Sequence, residues 1–372
     1  MYLESLSLVN FKNLEEVDAQ FSPGLNCFIG NNGAGKTNLM DAIYYLSFCK
    51  SFVNSNDQMN ITHQQDFFVI QGKYERFDEV ETISCGLKRG QRKHFKRNKK
   101  EYNRLSEHIG LLPLVMVTPS DSDLIMGGSE ERRKFVDSLI SQYDQVYLNH
   151  LIRYNRALLQ RNQLLKQFAG ERFFKEDLLE VWDDQLVRLG LVIHEKRVEY
   201  IRAFQPVFQS YYGLIAGSHE KPGLEHQSQL YENDLQVLMT ENRKKDLLLQ
   251  FTSAGIHKDD IVFNLGDHPI KKLGSEGQKK TYLVALRLAQ FDFIKKLSGL
   301  NPVLLLDDLF DKLDKHRVKQ IVRLVADDHF GQIFITDTNR EHLDQIVHEV
   351  SAGSKIFLVH HGTVKEAGNE KK

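Results

Sequence analysis

The stretch from Leu25 to Leu46 constrains this chain more than any other, because an apolar run, a glycine-rich turn and an amphipathic helix follow one another without a break. Leu25, Cys27, Phe28 and Ile29 read as a buried strand. That strand ends at Gly30-Asn31-Asn32-Gly33-Ala34-Gly35-Lys36-Thr37, a full match to G-x-x-x-x-G-K-[ST]. Leu39, Ala42, Ile43 and Leu46 then recur at helical spacing, which predicts a helix beginning in the last residues of the loop. Average residue usage makes a chance match in a chain of this length an event on the order of one in a hundred, and the flanking strand and helix argue further against chance.

Glycines without a Cβ let consecutive backbone N–H groups curl around an oxyanion, and a helix N-terminus adds its positive dipole end at the same point. Lys36 is placed to reach β- and γ-phosphates, the Thr37 hydroxyl is a hard oxygen ligand for Mg²⁺, and Asn38 is grouped with the loop. ATP and Mg²⁺ are the expected ligands.

A phosphate loop of this kind also needs a carboxylate at the end of a neighbouring, continuously apolar strand. Val303-Leu304-Leu305-Leu306-Asp307-Asp308 supplies it, with Asp307 expected at Mg²⁺ and Asp308 at the attacking water. Between the two motifs lies Gly274-Ser275-Glu276-Gly277-Gln278, opening a helix that carries Leu283 and Leu286. Serine there is ordinary helix capping, and it is equally a second anion site formed by Ser275, Gly277 and the first-turn amides.

At 372 residues the chain calls for two domains or one large domain with an insertion. Residues 1 to 29 read as β structure, with Leu6 and Leu8 alternating with serines and Val17, Ala19 and Phe21 alternating with polar residues. Phe67 to Tyr74 and Val80 to Leu87 read as an antiparallel pair with Ile83, Cys85 and Leu87 on one face, and Leu111 to Val117 is a further apolar run. From Ser129 the pattern turns helical. Leu178, Trp182, Leu186, Leu189 and Ile193 form one stripe of helical period, and long helices continue to about Gln250. Beyond them, Gly255-Ile256-His257-Lys258-Asp259-Asp260 offers either a phosphate or metal contact at His257 or a hydrogen-bonded turn.

Lys+Arg of 49 against Asp+Glu of 50 gives a net charge of −1, which excludes a global basic field, so any nucleic-acid binding must be local. Lys88, Arg89, Arg92, Lys93, Lys96, Arg97, Lys99 and Lys100 form the densest basic run, read as a solvated hairpin edge or a phosphate-facing patch. Cys27, Cys49 and Cys85 have no metal-ligand spacing and read as core residues in a reducing cytosol. With no apolar stretch near 18 residues, the expectation is a soluble, cytoplasmic protein with no membrane partner.

Gly30 to Thr37, Ser275 to Gln278, Leu304 to Asp308 and the following Leu313-Asp314 occur in the order found in ABC-type ATPases, whose serine-glycine-glutamine motif is similar to this one. Within that class the chain resembles the RecF proteins of bacterial recombination and replication repair. The opening Leu8 to Asn13, Tyr154-Asn155-Arg156 with Gln160-Arg161-Asn162, Gly255 to Asp260, and Leu286 to Gln290 carry the likeness. It departs at Ile256 and Lys258, where RecF-like chains have proline and arginine, and in lacking both the transporter-type switch histidine after Gln332 to Thr336 and the glutamine expected near Ser120 and Asp121.

The resemblance implies an α/β fold: an ABC-type P-loop ATPase head with a parallel nucleotide-binding sheet and an antiparallel sheet. Residues 1–121 and 251–372 form the head and residues 122–250 an inserted α-helical arm. It further implies a slow, DNA-stimulated ATPase that forms a homodimer with ATP and binds single-stranded, gapped or junction DNA. RecO and RecR mediators and a recombinase are the implied partners. Lys36, Asp307 and Asp308 would carry hydrolysis, Ser275 to Gln278 would touch the γ-phosphate of a facing subunit, and Lys12 and Asn13 would contact base or phosphates. The alternatives are an ATPase subunit of another ABC-type assembly, transporter or SMC-like, and a P-loop phosphotransferase.

Overall fold

Two periodicities in the first ninety residues build an antiparallel sheet. In the computed structural model, which describes residues 1–171, 176–217, 219–308, 315–326, 328–338 and 353–367, β1 (Tyr2–Phe11) and β2 (Leu14–Gln20) pair with Leu6 opposite Ala19 and Leu8 opposite Val17, all four buried. Strands β4 (Phe67–Arg76) and β5 (Glu79–Lys88) follow, with Ile83, Cys85 and Leu87 buried on one face as their alternation predicts. The basic run supplies β6 (His94–Arg97) and β7 (Lys100–Glu101), completing the order β2-β1-β4-β5-β6-β7.

The second sheet runs β15-β14-β3-β13-β12-β8. Strands β3 (Leu25–Ile29), β8 (Leu114–Val117), β12 (Val303–Leu306) and β13 (Ile333–Asp337) are buried at every residue, as parallel strands covered on both faces must be. β14 (Lys355–His360) lies parallel to β3, and β15 (Thr363–Glu366) closes the edge antiparallel to β14. Helix α1 (Lys36–Phe48) packs against strands of both sheets, with Leu39, Ala42, Ile43 and Leu46 fully buried. Beside it Phe21, Phe28, Phe334 and Phe357 form one aromatic cluster, with Phe21 and Phe334 edge-to-face at 4.9 Å. Buried Gln332 ties the sheets together: its Oε1 accepts from Leu3 N at 2.7 Å while its Nε2 donates to the Leu3 and Ser22 carbonyls.

The chain divides into two compact units: Met1–Asp121 with Tyr211–Gly217 and Lys280–Lys372, and Ser122–Ser210 with Ser218–Lys279. The second unit therefore extends beyond the arm boundary expected at residue 250, because β9 (Pro222–Gln227) pairs antiparallel with β10 (Asp260–Leu265), which in turn pairs with β11 (His268–Pro269). Its long helices are Gln145–Glu171 and the part of Glu176–Ala216 up to Ser210.

The helical stripe expected in the second of these is displaced by a residue at its start. Leu178 is exposed and Leu179 is buried, Trp182 is half-buried, and Leu186, Leu189 and Ile193 are core. The same face also buries charge. Arg161 is wholly inaccessible, with Nε donating to Asp183 Oδ1 at 2.6 Å and Nη1 to Asp246 Oδ2 at 2.7 Å and Thr252 Oγ1 at 2.9 Å. Among the described residues no helix is long and apolar enough to cross a membrane. The three cysteines are buried and none forms a disulfide among the described residues.

Candidate nucleotide site

Strand β3 delivers the glycine loop to the carboxyl edge of the parallel sheet, where open α/β sheets bind ligands. Gly35 caps α1 with φ +119°, a conformation L side chains rarely adopt, and an added Cβ would press on Asn13 and Leu14. Asn13 in turn laces the loop: its Nδ2 donates to Gly33 O at 3.3 Å and its Oδ1 accepts from Asn38 Nδ2 at 2.7 Å. On the other side Gly362, in the β14–β15 turn at φ +79°, donates its N–H to Ala34 O at 3.0 Å, and a Cβ there would collide with the Asn13 carbonyl. Asn31, Asn32 and Gly33 form the exposed crest, while Ala34, Gly35 and Lys36 are buried. Lys36 Nζ donates to Gly30 O at 2.7 Å and to Asn31 O at 3.2 Å, so its charge is held against the loop it serves.

Parallel pairing sets the acid beside the loop. Leu306 at the end of β12 is aligned with Val117 and Ile335, so Asp307 follows at the same edge. Its Oδ2 accepts from Thr37 Oγ1 at 2.9 Å and its Oδ1 from Thr336 Oγ1 at 2.7 Å, with only 4% of the residue exposed. Burial raises the Asp307 carboxyl above its ordinary value, against the pull of the Thr336 and Thr37 hydroxyls. Asp308, the next residue, is half-buried at φ +44°, and its N–H donates to Thr336 Oγ1 at 3.0 Å. Lys36, Thr37, Asp307 and Asp308 thus come together from positions 270 apart.

These residues fit a nucleoside triphosphate with Mg²⁺. The loop presents amides and an ammonium, and the buried carboxylate faces a threonine hydroxyl, which is the oxygen donor set a hard cation takes. Thr336 and Gly362 had no role in the sequence reading. The signal for Thr336 was its place at the carboxyl end of an apolar run, beside the expected acidic strand; Gly362 gave none, because its partner lies in another part of the chain.

The remaining candidates fall elsewhere. Ser275, Gly277 and Gln278 belong to the other unit, where Ser275 N donates to Gln278 Oε1 at 2.8 Å and Gln278 N to Ser275 Oγ at 3.2 Å, a reciprocal capping box on the helix Glu276–Ser298. Lys12 is not at the loop's surface; its ammonium lies 2.5 Å from Asp41 of α1, a carboxylate that also accepts from Ser51 Oγ and Phe52 N. The group around His257 is a hydrogen-bonded turn: Nδ1 meets Tyr154 OH at 2.9 Å and Nε2 meets the Thr252 carbonyl at 3.0 Å, and burial drives the imidazole down to about 4. Leu313-Asp314 lies outside the described residues.

The basic run is split by its surroundings. Lys93 is drawn inward, with Nζ 2.6 Å from both Asp57 Oδ2 and Cys49 O, and Arg97 pairs with buried Glu81 at 2.8 Å. Lys88, Arg89, Arg92, Lys96, Lys99 and Lys100 are exposed.

A two-sheet head with a phosphate loop on one strand and a hydroxyl-held aspartate on another defines a P-loop ATPase head of the ABC class. The family described as RecF/RecN/SMC N terminal domain matches residues 2–365. A DNA replication and repair protein RecF from Phocaeicola vulgatus is 55% identical over 368 residues, covering 98% of each chain, and one from Flavobacterium johnsoniae is 50% identical over 357 residues, covering 96% of this chain and 99% of its own. The chain belongs to the RecF family of DNA replication and repair proteins. Among solved structures, the recombination mediator protein RecF-ATP in the RecFOR pathway is similar with a TM-score of 0.89 at 28% identity, over 99% of this chain and 98% of that one. An Smc head domain from Pyrococcus furiosus shares the fold, with a TM-score of 0.58 at 18% identity over 98% and 96% of the two chains. Membership implies a capacity for ATP hydrolysis.

Proposed function

We propose that this chain is a slow, ATP-switched DNA-binding protein of recombinational repair, which binds ATP and Mg²⁺ at the loop, dimerises around them, and acts in the cytoplasm at gapped, single-stranded or junction DNA. The observation that carries this reading is Asp307 clasped between Thr37 and Thr336 beside Lys36. The Thr37 hydroxyl and Asp307 would hold Mg²⁺, which would supply positive charge against the phosphates. Lys36 exchanges its two carbonyl partners for phosphate oxygens, a change of acceptors rather than a gain of burial. Asp308, fixed by its N–H to Thr336, holds and orients the attacking water. Aspartate in place of a longer glutamate, and Asp337-Thr338 in place of a switch histidine, support hydrolysis as a timer. RecO- and RecR-type mediators, named with RecF in the RecFOR pathway, are the partners this reading takes, leading to recombinase loading.

Each site is completed across the dimer by Ser275, Gly277 and Gln278 of the facing chain, whose capping box opens to admit a γ-phosphate. Lys36→Ala and Ser275→Arg should each be inactive alone. In a mixed dimer one site carries both lesions and the other carries neither, so mixing the two proteins should restore part of the DNA-stimulated ATPase. Mixtures that stay dead, and bind no ATP, while mass photometry shows heterodimers would overturn the shared site. Separately, ATP-independent binding to gapped DNA by wild type and Lys36→Ala alike would overturn the switch.

A further inference from the structure

Asp259, which the sequence grouped with His257, gathers with two other histidines. His194 on the helix Glu176–Ala216, His226 on β9 and Asp259 just before β10 bring one ligand atom each to within 4.8 Å of one another. Their chemistry is unfinished. His194 Nδ1, His226 Nε2 and Asp259 Oδ1 are each buried without a hydrogen-bond partner, and the His226 and Asp259 side chains are 3% and 1% exposed. Buried polar atoms are almost always paired, so three unpaired ones gathered at one place call for a shared partner. Although each neutral imidazole carries one N–H, none of the three atoms forms a hydrogen bond with another in this arrangement; a cation satisfies all three.

The surroundings already hold the ligands in the form a metal takes. Tyr231 OH lies 2.9 Å from His226 Nδ1 and holds the ring with Nε2 toward Asp259 Oδ2, 3.4 Å away; with the hydroxyl accepting from Nδ1–H, the Nε2 lone pair is available to a cation. Arg197 Nη1 donates to Asp259 Oδ2 at 3.2 Å and is itself neutralised by a fork onto Asp137, so it orients the carboxylate while leaving Oδ1 unengaged. Tetrahedral Zn²⁺ with bonds of about 2.0–2.1 Å sets its ligand atoms roughly 3.4 Å apart, which side-chain rotation reaches from the present spacing. Two clefts lie alongside, one of about 480 Å³ lined by His194 and Tyr231 and one of about 330 Å³ lined by His226 and Tyr231.

The geometry points to a zinc-class divalent cation site formed by His194, His226 and Asp259, which fastens the long helix to the β9–β10 sheet within the second unit. It is independent of the nucleotide site, and its occupancy should not depend on Lys36.

The test uses the full chain, stripped by chelator and dialysed against Zn²⁺ in the presence of excess Mg²⁺, with bound metal counted by mass spectrometry and the melting temperature followed in parallel. Wild type and Lys36→Ala should each take up one Zn²⁺ per chain and melt higher with it. His194→Gln and His226→Gln should bind at least tenfold more weakly, and Tyr231→Phe, which only frees the His226 ring, about tenfold more weakly. Co²⁺ in place of Zn²⁺ should give the intense visible absorption of a tetrahedral ion. Should wild type take up no Zn²⁺, or should both histidine variants bind it as wild type does, the three atoms are partnered by water and the site does not exist.

Discussion

Removing Arg161 tests the polar core of the second unit. Arg161→Met keeps the length and most of the volume of the side chain but deletes three hydrogen bonds and a wholly buried positive charge. Its two partners are left unequally. Asp183 keeps Arg243, whose Nε lies 3.2 Å from Oδ2, whereas Asp246 keeps the neutral donors Ser253 N at 2.9 Å and Ser253 Oγ at 2.6 Å. Breaking a buried pair by removing one side costs about 3–5 kcal/mol, and the surviving Arg243 contact argues for the lower half of that range. With a urea slope of about 1–3 kcal/mol per molar, the unfolding midpoint should fall by about 1 M or more. Trp182, the only tryptophan and the neighbour of Asp183, makes intrinsic fluorescence a local reporter. Adding Asp246→Asn to Arg161→Met should recover about half of the loss, because the stranded charge is gone while Ser253 keeps its acceptor. A midpoint shift below roughly 0.3 M, or a double variant no better than the single one, would refute the claim that Arg161 neutralises buried charge.

Three further outcomes are expected. Asp308→Asn should still bind ATP in equilibrium dialysis but release phosphate on the order of 10²-fold more slowly; lost binding would show that Asp308 holds the loop rather than the water. His108, buried between the Leu46 carbonyl at 2.6 Å and Tyr102 OH at 3.0 Å, has its imidazole pushed down to about 4 by burial. Its neutral form therefore stabilises the fold fully above pH 6.5, and about 3 kcal/mol is lost as pH falls from 6.5 through 4, a slope that His108→Phe should flatten in urea titrations. In the basic run, Lys96, Lys99 and Lys100 to alanine should reduce the salt slope of gapped-DNA binding by up to about 0.9 for each phosphate no longer neutralised, without changing the melting temperature, whereas Lys93→Ala should cost about 1–2 kcal/mol of stability. Equal effects from both sets would erase the division between them.

The parts of this fold that sequence disclosed are those in which one short segment carries the whole signal. The loop is eight consecutive residues, the acidic strand is six, and the alternation in β1, β4 and β5 is written into each strand separately. Hydrophobic periodicity, however, registers apolar burial only. Arg161, Asp183 and Asp246 gave no signal of burial, because the compensating charge is 22 or 85 residues away. The same limit hid the pairing of β9 with β10, since Pro222 to Gln227 lacks the alternation of a strong strand and takes its register from a partner more than thirty residues on. At the nucleotide site, Thr336 and Gly362 act through contacts set by sheet order, which no local pattern encodes.

The wall of the loop has a consequence for how the protein is made. Strand β3 and its glycines emerge from the ribosome early, but both neighbours of β3 in the sheet, β13 and β14, are translated some three hundred residues later, and the turn that meets Ala34 later still. At about 5–20 residues per second the nascent chain carries β3 with two bare edges for on the order of 15–60 s. During that interval the β1–β2 and β1–β4 pairings can form, since their partners are close behind, while the nucleotide loop has nothing to lean on. An exposed strand with two open edges invites pairing with another chain. Stalled or prematurely terminated products ending before β12 therefore hold the complete glycine motif yet lack the acid and the turn that shape it, so nucleotide binding distinguishes a finished molecule from an abandoned one.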